Sequence, residues 1–162
     1  MSAAEYGIMA SNRDVVICTV AIPSVVRMAM TPLWGYVFDR VNFFAVRAAA
    51  NVSFVLSIAT FFFAETIVAL YIASMFFGIA LAGARVNWSL WVTKFAPLDQ
   101  ESNYMSIHGF LTGVRGLGAP FMGFYLIQVF SIQDTAAMSI GLILFATTLL
   151  SPISRMVKAE QA

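Results

Sequence analysis

Charge is what this sequence has least of. Only 10% of its 162 residues are Asp, Glu, Lys or Arg, while 60% are hydrophobic. Soluble domains carry about a quarter charged residues, so this chain has too little polar material to cover a water-facing surface. That excludes a soluble enzyme. No run of Lys or Arg occurs, which excludes a nucleic-acid partner. The one cysteine, Cys18, has no partner for an internal disulfide, and the one histidine, His108, rules out a two-His haem or a His-rich metal centre. No Gly-rich phosphate loop follows a strand, no Cys–His spacing is present, and no carboxylates are paired. No enzymatic activity, cofactor or metal is therefore expected. The opening "MSAAEYGIMASNRD" lacks a cationic stretch before an apolar core, so it is not read as a signal peptide.

What the sequence has instead is long apolar runs, in a chain with fifteen Phe and nine Met. A bilayer core of about 30 Å needs about 20 helical residues. Five segments qualify, at about 15–38, 43–64, 67–95, 104–130 and 135–153. None alternates as a barrel strand would. The links "DRVN", "AET", "APLDQESN" and "SIQD" are too short for a soluble domain. The expected fold is an all-α, polytopic membrane bundle of five helices in the cell membrane, in contact with lipid. Arg40, Arg47, Lys94, Arg155 and Lys158 fall on one side and only Arg13 on the other. The positive-inside rule makes the first side, with the C-terminus, cytoplasmic. An N-terminus on the outer side is awkward, and a further helix is expected before Val15.

Between the first two helices the sequence reads "GYVFDRVNFFAVR". Gly35 leaves room for a neighbouring helix. Asp39 sits where it can cap another helix N-terminus. Arg40 and Arg47 can pair with carboxylates or lipid phosphates. The fourth helix reads "GFLTGVRGLGAPFMG", in which Gly109, Gly113, Gly116, Pro120 and Gly123 are spaced four, three, four, three. Those five lie on one helix face, a stripe on which helices pack backbone to backbone, and Pro120 adds a bend.

The first motif resembles the conserved loop of the major facilitator superfamily, Gly-x-x-x-Asp-Arg-x-Gly followed by basic residues. Gly35, Asp39 and Arg40 match, Asn42 stands at the second Gly, and the basic cluster is reduced to a displaced Arg47. The Gly-rich, Pro-containing helix resembles the fifth helix of that family's six-helix halves. The resemblance covers nearly the whole chain, read as helices two to six of one half. The C-terminal half is favoured, because the chain stops soon after the last helix. It implies a secondary active transporter that works by alternating access. The partner would be the missing N-terminal half or a second copy, and the solute would lie near the midplane between halves.

Three arginines lie deep inside the spans: Arg27 and Arg115 close to mid-helix, and Arg85 somewhat nearer the cytoplasmic side. An Arg at mid-bilayer costs at least about 2.5 kcal/mol, so each needs a cavity, a carboxylate or an anionic ligand. Helices one, three and four carry them, while the cores of helices two and five carry no charge. In the family resembled, the first set borders the central cavity. Their company is polar and aromatic. Trp34 follows Arg27 on one face, and "ARVNWSLW" groups Arg85 with Asn87, Trp88 and Trp91. His108 and Thr112 share a face with Arg115. The candidate substrate-binding set is Arg27, Arg115, Arg85, Trp88, Asn87, His108 and Trp34. With no carboxylate in any helix core, an anionic small-molecule solute is favoured. His108 is also the one group suited to relaying protons near neutral pH. The alternative is a non-transporting membrane assembly or interaction protein that uses the same bundle.

Overall fold

The computed structural model of the chain describes residues 11–97 and 99–160, with side chains at all of these but 93, 94 and 151–160. The described residues form five long helices, and no strand occurs among them. Helix α1 spans Asn12–Arg40, α2 Phe43–Phe62, α3 Ile67–Phe95, α4 Glu101–Val129 and α5 Ile132–Glu160. Each has the length and apolar character to cross a membrane. The expected five spans are all present. Their ends differ by local chemistry. Asp39 and Arg40 belong to α1, so the first link is shorter than "DRVN". Helix α4 starts three residues before the expected position, and so does α5. The side chains of Lys94, Arg155 and Lys158, used above to orient the chain, lie outside the described residues.

Short polar side chains set several of these starts. Ser11 accepts from the Arg13 amide while Asp14 accepts from the Ser11 amide, a reciprocal cap. Asn42 accepts from the Phe44 amide at 2.9 Å and Thr66 from the Ala69 amide at 3.3 Å. Ser131 accepts from the Asp134 amide at 3.0 Å and donates its hydroxyl to the Asp134 carboxylate at 2.6 Å. Asp134 is thus in the first turn of α5 rather than ahead of it. Such caps are each worth about 1 kcal/mol. Asn42, at the place of the usual second Gly, is the residue that starts α2.

Helix α1 is wound as a π turn over Ile17–Ala21. The turn lies just ahead of Pro23, whose missing N–H removes one rung of the helical ladder. Local π geometry is a way for membrane helices to absorb such a residue.

Helix α3 is the centre of the bundle. It packs against α2 on one side and α1 on the other, and α5 packs on the outside of α2. What lets α3 take two neighbours is its small residues. Ala73, Ser74, Ala80 and Ala82 are buried. At Gly78 an added Cβ would come within 2.8 Å of the Val26 side chain and 2.9 Å of the Pro23 carbonyl; at Gly83 it would meet the Trp34 ring at 2.8 Å. Backbone-to-backbone approach therefore happens at Gly78, against the Pro23 carbonyl, while Gly83 makes room for the Trp34 ring. The core formed there contains Trp34, Phe38, Val46, Ala50, Ala82 and Val86. Hydrogen bonds tie the helices across it: Ser57 Oγ to the Ala73 carbonyl at 3.1 Å, Asn51 Nδ2 to Thr147 Oγ1 at 2.9 Å, and Tyr71 OH to Asp14 Oδ1 at 3.0 Å.

Helix α4 stands apart. It touches α3 and α5 only lightly and has no buried residue. Gly109, Gly113, Gly116 and Gly123 have nothing within 4 Å of where a Cβ would stand. Pro120 is exposed, and the helix runs through it unbroken. The glycine stripe is therefore open, with no neighbour among the described residues.

Candidate functional site

The gap between α2, α3 and α4 is a cleft of about 510 Å³. Helical periodicity decides which side chains face it. From α2 come Phe43, Arg47, Ala50, Asn51 and Phe54; from α3 come Ala84, Asn87, Trp88 and Trp91. Helix α4 adds His108, Thr112 and Arg115, spaced four and three so that they share one face.

The walls are aromatic and held in place. Phe43 meets Phe95 edge-on at 5.3 Å between ring centroids, and Phe54 meets Phe77 at 6.2 Å. The His108 ring lies 4.6 Å from the Trp88 ring and 5.1 Å from that of Trp91. This triple contact is how α4 leans on α3.

The polar groups are mostly donors. Arg47 and Arg115 bring two guanidinium groups to one cleft, and no carboxylate lines it. Asn87 is 1% exposed. Both ends of its amide lack a partner among the described residues, as do Trp91 Nε1 and His108 Nε2. A buried polar group left unpaired costs about 1–3 kcal/mol. Trp34 Nε1 in the core is unpaired as well, so an orphan atom alone marks no site; the other three residues gather around one cleft, where polar contents would satisfy them.

A second cleft of about 450 Å³ lies between α1 and α3. Arg27, Arg85 and Ser89 line it, together with Leu81 and with Ala84 and Trp88, which also line the first cleft. Trp88 is therefore a shared wall. No carboxylate lines this cleft either. Arg27 is half-buried and Arg85 exposed.

The candidate residues thus divide. Arg115, Asn87, Trp88 and His108 come together in the first cleft. Arg27 and Arg85 meet at the second, with Trp88 between. Trp34 joins neither: it is buried in the core against Gly83. Its place on a face with Arg27 is overridden by the close approach of α3. Thr31, on the same face, donates its hydroxyl to the Arg27 carbonyl at 2.7 Å, so it is occupied within its own helix. Among the described residues, the cation–π contact of an arginine is Arg40 over Tyr36, at 4.1 Å to the centroid, and not one of the deeper arginines over Trp88.

Reading the sequence missed the role of α2. Its core carries no charge, which points to the periphery, yet it supplies five residues to the first cleft. Arg47 was grouped with the loop motif. Because α2 starts at Phe43, Arg47 is already one turn inside the helix, on the face of Asn51 and Phe54. The four-and-three spacing of 47, 51 and 54 was the signal available. The loop residues Asp39 and Arg40 are exposed at the end of α1, and an added Cβ at Gly35 would have nothing within 4 Å.

Comparison of the chain with protein-family models, curated proteins and solved structures returned no match.

Proposed function

We propose that this chain is part of a secondary active transporter of the major facilitator type, moving a small anionic solute by alternating access. One observation carries the reading. A cleft inside membrane-spanning helices is lined by two guanidinium groups, by the buried and unpaired Asn87 amide, and by unpaired ring nitrogens of the half-buried Trp91 and His108, with no carboxylate. Ionisable groups at membrane depth belong to solute pathways more often than to packing. Gly35, Asp39 and Arg40, and the Gly–Pro helix, supply the family resemblance. The open stripe on α4 is the face that a second bundle would cover in a two-half carrier.

The test is counterflow in vesicles containing the chain together with the rest of its carrier, with a panel of radiolabelled organic anions, sugars and amines. Arg115→Ala, with membrane expression unchanged, is expected to reduce anion exchange to background. Unchanged exchange in both Arg115→Ala and Arg27→Ala would overturn the assignment.

The same open stripe favours a second reading, a bundle that holds a partner without transport. That reading predicts no exchange of any panel solute, with co-purification of a membrane partner lost in Gly113→Leu.

A further inference from the structure

We infer that the first cleft takes an organic anion with an apolar, planar body: a carboxylate or phosphate ester carried on a hydrocarbon or aromatic group. This rests on the carrier reading and names the class of solute for its site. The inference comes from how the cleft is divided. Its polar sector is made for an anion. Arg47 on α2 and Arg115 on α4 face the same space with no carboxylate to offset either. Arg47 is half-buried and Arg115 exposed; their like charges repel across the cleft, and one anion between them relieves both. A group with two or more oxygens can accept from both guanidinium forks at once. Asn87 is the third anchor. It is 1% exposed, lines the cleft and has both amide atoms unpaired. Its amide donor adds to the two cations.

The other sector has no use for an inorganic anion. The cleft is about 510 Å³, within the range of pockets that enclose whole small molecules, and an oxyanion alone would fill only a small part. Phe43, Phe54 and Trp88 form the remaining walls. Edge-on contacts with Phe95, Phe77 and His108 hold them. Pre-set aromatic walls beside paired cations select a flat apolar body joined to an anionic head. A sugar would leave those walls against hydroxyl groups. An amine would meet two positive charges.

The same chemistry could come from an acidic lipid, so the experiment separates the sources. The full chain is reconstituted in phosphatidylcholine nanodiscs. Binding is read by tryptophan fluorescence, since Trp88 and Trp91 line the cleft. The probes are benzoate, phenyl phosphate, inorganic phosphate and benzyl alcohol. Benzoate and phenyl phosphate are expected to give saturable changes. Inorganic phosphate should bind at least about tenfold more weakly than phenyl phosphate, and benzyl alcohol not at all. Arg47→Gln and Arg115→Gln should each weaken phenyl phosphate about tenfold or more, as loss of a charge-assisted hydrogen bond requires. Should either variant fold poorly, Asn87→Asp keeps the side-chain shape and places a carboxylate in the cleft with the cations. It should abolish benzoate binding with helicity unchanged.

Equal binding of inorganic and phenyl phosphate would overturn the apolar-body assignment. Displacement of phenyl phosphate by phosphatidylglycerol added to the discs would give the cleft to a lipid headgroup and overturn the solute assignment. Counterflow with the complete carrier separates the two levels. Arg-dependent binding without exchange leaves this inference standing and removes the carrier reading. Exchange of sugars or amines without binding of either aromatic anion does the reverse.

Discussion

At the scale of single residues, two groups of glycines look alike in sequence and differ in what surrounds them. Gly78 and Gly83 sit where α1 and α2 press on α3. A methyl at Gly83 would meet the Trp34 ring at 2.8 Å and Ala50 Cβ at 3.1 Å. Gly83→Ala should therefore destabilise the purified chain by about 1–3 kcal/mol, the usual cost of overpacking. Gly113→Ala adds a methyl to open space and removes a helix-weakening glycine, so it should be neutral or stabilising by up to about 1 kcal/mol. Thermal unfolding of both variants in one detergent measures the contrast; equal melting points would contradict it. Asn87 makes a parallel case. Its buried amide has no partner among the described residues, and exchange of an unsatisfied polar group for an apolar one of similar shape is neutral or favourable. Asn87→Leu is expected to hold or raise the melting temperature while abolishing solute binding. That split between stability and function marks a site residue rather than a core residue.

At the scale of elements, all five helices were legible because length and hydropathy suffice to place a span. Their neighbours were not legible. In lipid both the packed and the exposed faces of a helix are apolar, so hydrophobic periodicity does not say which side meets protein. The stripe on α4 is the more regular pattern, yet α3, with Ser74, Gly78 and Ala82 each four apart, is the helix that packs. Arg47 falls under two readings of the sequence, inside the span 43–64 and at the end of the loop motif, and the cap at Asn42 decides for the helix. Helix α4 depends on few contacts, chief among them the His108 ring against Trp88 and Trp91. His108→Ala should release it. Hydrogen exchange across 101–129 is expected to rise several-fold, with α2 and α3 unchanged. His108→Phe should restore protection, because the contact is between rings. Faster exchange in His108→Phe as well would place the tether elsewhere.

At the scale of the whole molecule, the bundle has one dense and one sparse side. α1, α2, α3 and α5 share buried surface, while α4 exposes large apolar residues, among them Phe110 at 71%, Leu117 at 74% and Phe121 at 78%. In a membrane those side chains are content in lipid, but four glycines in a stripe gain nothing from it. A small-residue face contributes only when another backbone comes close. The carrier reading assigns that face to the other half of the transporter, with the anion cleft behind it. A bulky residue on the stripe should then separate assembly from folding. An added Cβ at Gly113 has nothing within 4 Å among the described residues, so the melting temperature of Gly113→Leu as a purified bundle should match that of the parent. Exchange of organic anions in vesicles should fall to background, because the two halves could no longer close over the cleft. Full exchange by Gly113→Leu would mean that the stripe faces lipid throughout the transport cycle. A fall in melting temperature equal to that of Gly83→Ala would mean instead that α4 packs within the chain as tightly as α3 does.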